Sequence, residues 1–177
     1  MILKIISGGQ TGADLGGLRA AIRHGIPTGG CAAKGFMTED GVFPELKTFY
    51  LLHDSGYGYV ERTNENVRES DLTLIYADNL NSAGTKLTID SCNKHKKPYK
   101  VNLPAYALCD LLKGMDKILP SDKEFVVNVA GNRESVAPGI RERTERVVGE
   151  GLKMYKFLEK PEKKKIKPVS DDGDDSW

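Results

Sequence analysis

Met1-Ile-Leu-Lys-Ile-Ile-Ser-Gly-Gly-Gln-Thr-Gly12 opens the chain and decides how the rest of it is read. The apolar run Ile2, Leu3, Ile5 and Ile6 reads as a buried strand. It breaks into Ser7, Gly8, Gly9, Gln10, Thr11 and Gly12. A helical pattern follows at once, with Leu15, Leu18 and Ile22 on one face and Gly25 as a stop. Strand, glycine loop and helix in that order make an anion site. Glycines let the backbone approach a ligand, and the helix N-terminus offers free N–H groups carrying partial positive charge. Gln10 and Thr11 add side-chain donors. The loop lacks the Gly-Lys-Ser/Thr ending of a nucleotide triphosphatase and the Gly-x-Gly-x-x-Gly spacing of a dinucleotide site. The bland alternative is a tight turn that only packs a helix on a strand.

Beyond this unit, apolar runs and helical periodicities alternate. A brief strand is expected near Thr28 to Ala32, followed by a long irregular loop carrying Lys34, Glu39 and Asp40, and a second strand at Thr48 to Leu52. Helix is expected from about Arg62, ending at Ser70-Asp71. Leu72 to Ala77 is the clearest central strand, being continuous, apolar and rich in strand formers. A polar loop from Asp78 leads to a helix reaching about Lys96, and Pro98 to Leu103 form a further strand. Ala105, Leu108, Leu111, Leu112 and Met115 recur at helical spacing. Glu124 to Val129 are the last strand, and Pro138 suits the first turn of a final helix with Ile140, Val147, Val148, Leu152 and Tyr155 on its apolar face. Such alternation predicts an α/β fold with a mostly parallel sheet and helices on both faces.

A chain of 177 residues has room for one full core, here expected over residues 1–159. With 39% hydrophobic and 29% charged residues, the composition is that of a soluble globular protein. A net charge of +1 recruits neither nucleic acid nor membrane, so any anion site must be local. No apolar run is long enough to span a bilayer, and no signal-peptide core follows Met1. The three cysteines Cys31, Cys92 and Cys109 lack metal-like spacing, and their odd number fits a reducing cytoplasm. Cys92 and Cys109 read as core positions, and Cys31 lies in a candidate ligand loop. His24, His53 and His95 show no partner pattern for metal or nucleophile chemistry. From Lys160 a basic block (Lys160, Lys163, Lys164, Lys165, Lys167) meets an acidic one (Asp171, Asp172, Asp174, Asp175). Residues 160–177 are therefore expected to form a solvated, mobile tail.

Ligands of open parallel sheets bind beyond the carboxyl ends of the strands. Four loops are expected there. They are Ser7 to Gly12; Gly29 to Gly41, with Lys34 as a point charge; Ser82-Ala-Gly-Thr85, a small-residue turn opening a helix; and Asn128 to Ser135, where Arg133 can grip a phosphate or carboxylate through parallel hydrogen bonds. Arg62, Thr63 and Asn66 form one more polar cluster at a helix start, which an N-cap with a solvated face explains equally well. For Arg133 the bland reading is a surface ion pair. Asp14 is read simply as a carboxylate complementing the helix dipole.

Six blocks taken together resemble the putative molybdenum cofactor carrier family from about Ile2 to Leu158. They are Ser7-Gly-Gly-Gln-Thr-Gly12, Gly29-Gly30 with Lys34-Gly35, Glu39-Asp40-Gly41, Arg62-Thr63-x-x-Asn66 with Ser70-Asp71, Gly84-Thr85, and Asn128-Val-Ala-Gly-Asn132-Arg133-Glu134-Ser135. The resemblance implies a Rossmann-like fold, a bound molybdenum cofactor or nucleotide, and a homo-oligomer, dimer or tetramer. Cys31, Ala32 and Ala33 stand where the family usually has Trp-Cys-Pro. Ala83 replaces a glycine before Gly84, and Asn132 a proline. Related phosphoribohydrolases place a catalytic Glu three residues after the threonine of the third loop; here that position is Thr88, which cannot serve as a carboxylate. The expected function is therefore binding or carriage of a phosphorylated anionic small molecule, without catalysis. Ser7 to Gly12, Gly84 and Thr85 would hold anionic groups, Lys34 and Arg133 would neutralise charge, and Asn66 and Asn132 would orient the ligand. The remaining matched residues, Gly35, Asp40, Arg62, Thr63, Glu134 and Ser135, complete the expected cofactor site. The alternatives are a nucleotide N-glycosidase or phosphohydrolase using Glu39, Asp40 or Glu134, and a nucleotide-sensing domain.

Overall fold

The strand that opens the chain, β1 (Ile2–Ile6), pairs in parallel with β2 (Thr28–Gly29) on one side and with β9 (Glu124–Gly131) on the other. This is a computed structural model, and it describes residues 1–158; the expected charged tail lies outside the described residues. β9 also pairs with β7 (Leu72–Tyr76), which pairs with β8 (Tyr99–Val101), so the all-parallel sheet runs β2-β1-β9-β7-β8. The last strand of the chain thus occupies the centre. Counted from β9, the order is that of a doubly wound sheet lacking its sixth strand, 3-2-1-4-5, and its switch point falls between β9 and β7. The parallel α/β sheet expected from the alternation, and the Rossmann-like, doubly wound fold implied by the resemblance, are what is observed.

Strand periodicity explains the two layers. Leu3, Ile5, Leu72, Leu74, Tyr76, Phe125, Val127 and Val129 all enter one large core. That core also takes residues of α1 (Ala13–Arg23), α5 (Ala105–Ile118) and α6 (Ile140–Leu158). Gly17 of α1 sits where an added Cβ would lie 2.5 Å from Val129, so the missing side chain sets how closely α1 approaches β9. α3 (Tyr59–Glu69) and α4 (Ala83–Lys94) pack against each other and against β9. Among the buried residues of this part are small polar ones, Ser70, Thr73, Thr85, Thr88, Ser91 and Asn128, several joined by hydrogen bonds such as Asn128 Nδ2 to Thr73 Oγ1 at 3.3 Å. At the end of β9, Gly131 has φ +153°, and a Cβ there would lie 1.8 Å from the Tyr76 carbonyl oxygen. Only glycine lets β9 leave the sheet at that point.

The segment after β2 departs from expectation. The brief strand is split into β2 and β3 (Cys31–Ala32). The long loop is instead a short 3₁₀ turn at Lys34–Phe36 and a small antiparallel hairpin of β4 (Met37–Thr38) and β5 (Gly41–Val42). Thr48 to Leu52 are not a strand. Pro44, with φ held in the helical range, starts α2 (Glu45–Thr48), which delivers Leu46 and Tyr50 onto Leu15 and Leu18 of α1 in a second core that also holds Leu52. Pairing resumes at β6 (His53–Asp54), which runs parallel to β3. α3 begins at Tyr59, a turn earlier than its charged residues indicated, and α6 begins at Ile140, beyond Pro138.

Candidate functional site: a cleft at the switch point

A cleft of about 220 Å³ opens beyond the carboxyl ends of β9 and β7. Gln10, Asp14, Tyr59, Arg62 and Arg133 line it with Ser82, Ala83 and Gly84, and Leu87 and Val136 add apolar wall. Arg62 lies one turn after Tyr59 on α3, and its guanidinium carbon stands 5.8 Å from the tyrosine ring centroid; that of Arg133 stands at 5.4 Å. One aromatic ring therefore holds two cations at the cleft. Arg133 forms no ion pair among the described residues, so the surface-pair reading fails.

Asp14 contributes more than dipole complement. Its carboxylate is 3.4 Å from Arg62 Nη1 with both side chains nearly buried, and it accepts the Gln10 N–H at 3.2 Å. Burial pushes the Asp14 carboxyl up; Arg62, the Gln10 N–H and Arg133 pull it down without cancelling that effect. Gly8 gives the Arg62 guanidinium its place, since an added Cβ would lie 1.9 Å from Nη1. Two buried donors at the cleft, Gln10 Nε2 and Arg62 Nε, have no hydrogen-bond partner among the described residues. Unpaired buried donors are costly and rare, so these two are candidate ligand contacts.

The loop from Asp78 to Thr85 is built around Asn132. Its Oδ1 accepts the N–H groups of Asp78 (2.9 Å) and Asn79 (2.8 Å). Its Nδ2 donates to Asn79 O, Ser82 Oγ and Thr85 Oγ1 at 2.9, 3.0 and 2.9 Å. Ser82 is the N-cap of α4, accepting from Thr85 N. Asn132 and Thr85 thereby set the α4 N-terminus at the cleft, and their own polar side-chain atoms are engaged within the protein. Thr88 lines the cleft and turns its hydroxyl to Gly84 O at 3.0 Å.

The other predicted site residues divide. Thr63 of α3 lines the cleft, whereas Ser7 donates from Oγ to Val129 O at 2.7 Å and is fully buried. Asn66 clamps Cys31, accepting its N–H and donating to its carbonyl, both at 2.8 Å. Gly9, Thr11 and Asp40 line a separate cavity of about 230 Å³. Gly12 is the N-cap of α1, and Glu134 caps α6 by accepting from the N–H groups of Gly139 and Arg141. Glu39 accepts from Thr11 Oγ1, Ser135 Oγ and Ser135 N. Burial opposes ionisation of Glu39, but these bonds and the Arg133 charge hold its carboxyl below the usual range. Lys34 and Gly35 line neither cavity; the Gly35 N–H binds Asp54 Oδ2 at 2.9 Å. Thus none of Glu39, Asp40 and Glu134 lines the cleft, and Asp14 is its carboxylate.

Tyr59 and Asp14 were missed as site residues. The signal for Tyr59 was an aromatic three places before an arginine on one helix; for Asp14, a carboxylate in the turn after a glycine loop. The reading of His53 as partnerless also fails, because pairing of β3 with β6 brings it beside Cys31 and Glu65, which no sequence spacing reveals.

A doubly wound sheet with paired arginines at its switch point defines a class of Rossmann-like proteins with a site suited to anions. The chain belongs to the circularly permutated YpsA SLOG family, whose model matches residues 5–152. The chain is also similar to the crystal structure of a putative molybdenum carrier protein from Syntrophus aciditrophicus, at 36% identity and a TM-score of 0.67, covering 86% of this chain and 93% of that one. No curated protein matches it.

Proposed function

We propose that the cleft holds the phosphate-bearing end of an anionic small molecule, and that the protein binds and carries this molecule without transforming it. The two unpaired buried donors, Gln10 Nε2 and Arg62 Nε, carry the reading. An oxyanion beside Arg133, Arg62 and the α4 N-terminus would meet charge-assisted donors and a favourable helix dipole. Thr88, where a related hydrolase needs a carboxylate, supports binding over hydrolysis. The ligand we favour is molybdenum cofactor, since the similar protein from Syntrophus aciditrophicus is described as a molybdenum carrier, with a related pterin or a nucleotide as the same chemical class. At about 220 Å³ the cleft is smaller than the roughly 300 Å³ at which sites for drug-sized ligands begin. It suits an anionic end, leaving the remainder of a tricyclic ligand over the open surface. Self-association into dimers or tetramers belongs to the same proposal.

Calorimetric titration with molybdenum cofactor released from a molybdoenzyme, and with adenosine monophosphate, tests this reading. Arg133→Ala is expected to weaken the binding partner at least about tenfold with an unchanged melting temperature. Unchanged affinity removes Arg133 from the site, and failure of both probes to bind overturns the proposal. Native mass spectrometry of the same sample reads the oligomer.

A further inference from the structure

Beside α3, three side chains from distant parts of the chain converge. Cys31 and His53 are register partners in the parallel β3–β6 pair, which projects their side chains from the same face. Glu65 reaches them from α3, with His53 Nε2 and Glu65 Oε1 2.6 Å apart. One sulfur, one imidazole nitrogen and one carboxylate oxygen all lie within 4.8 Å of one another. We propose that Cys31, His53 and Glu65 form a binding site for a divalent transition metal of the zinc class, a site distinct from the anion cleft and independent of its ligand.

The donor set selects the metal. Thiolate and imidazole are poor ligands for magnesium or calcium, whereas zinc takes S, N and O donors at roughly 2.0–2.3 Å. Placing a cation between donors now this close requires only side-chain adjustment. The site is also braced from behind. Asn66, next to Glu65, accepts the Cys31 N–H and donates to its carbonyl, both at 2.8 Å, fixing the strand that carries the sulfur. Such support of a ligand is what metal sites require beyond the ligands themselves.

A dication would displace the Cys31 thiol proton and take both anionic donors. Cys31 is fully buried while His53 is 53% exposed, so the ion has a wet side of entry and a sulfur floor. Three protein ligands leave a fourth, open position for water.

Cobalt(II) added to the full-length, thiol-reduced protein provides the spectroscopic probe. A sulfur-to-cobalt charge-transfer band in the near ultraviolet is expected, bleached by zinc and absent in Cys31→Ser. His53→Ala, at a half-exposed position, should weaken cobalt binding at least about tenfold, since loss of an outer-shell partner alone can cost that much. Arg133→Ala should leave the band unchanged, which separates this site from the anion cleft. The proposal is overturned by the absence of a thiolate band in the wild type, by its persistence in Cys31→Ser, or by undiminished affinity in His53→Ala.

Discussion

Asn132 and Arg133 are neighbours with opposite tasks. The Asn132 amide is engaged at both ends by the loop before α4, whereas the Arg133 guanidinium lies over Tyr59 and forms no salt bridge among the described residues. Their substitutions should therefore separate stability from binding. Asn132→Ala leaves several polar groups of a tight loop without partners and is expected to cost about 2–3 kcal/mol. Urea denaturation reads this as a lower midpoint at unchanged slope. Asn132→Asp should fare little better, because a carboxylate cannot donate to Asn79 O, Ser82 Oγ and Thr85 Oγ1. A midpoint within error of wild type would contradict this role.

At the scale of elements, α3 serves two sites from one helix. Arg62 and Thr63 line the cleft, Glu65 faces Cys31 and His53, and Asn66 ties the helix to β3 between them. The hairpin of β4 and β5 depends on a different device, Glu39, which its hydrogen bonds join to Thr11 and Ser135. The folded state holds this carboxyl lower than the unfolded chain does, so it binds a proton less readily when folded. Its contribution to stability is thus complete above the unfolded value and is lost as pH falls through the folded one. The stability difference between wild type and Glu39→Gln should be constant near neutrality and shrink as pH drops below the ordinary carboxylate range. Parallel denaturation series at several pH values measure it, and a difference that widens on acidification would show the latch to be misassigned.

For the whole molecule, the central position of the last strand has consequences for folding. β9 supplies the pairing partner of both β1 and β7, and α6 packs on α1 and α5. A chain ending at residue 123 would retain most of the motifs yet leave two strand edges and a large apolar face uncovered. It is expected to show no cooperative thermal transition and poor chemical-shift dispersion, as judged by circular dichroism and proton NMR. A cooperative melt would mean that the N-terminal part folds without its central strand. Pairing the two ends of the chain also makes the contacts non-local, which favours slow folding.

Local pattern determined a good deal by itself. Runs such as Leu72 to Tyr76 and the periodicity of α1, α5 and α6 specified strands, helices and a parallel α/β sheet, because burial on one or two faces is written in hydrophobic spacing. The blocks around Gly8, Arg62, Gly84 and Arg133 likewise indicated the family and much of the cleft. Where Pro44 begins a turn, strand-like residues at Thr48 to Leu52 misled, since their apolar side chains serve a second core rather than a ladder. Strand order was decided only in three dimensions: the switch point lies between β9 and β7, so the cleft gathers around Arg133 and the α4 N-terminus, while Gly9 and Thr11 face a separate cavity. Tertiary structure alone joined Cys31 to His53 and Glu65, and Tyr59 to Arg133. Those contacts arise from register and helix placement between distant segments, and spacing along the chain carries no record of them.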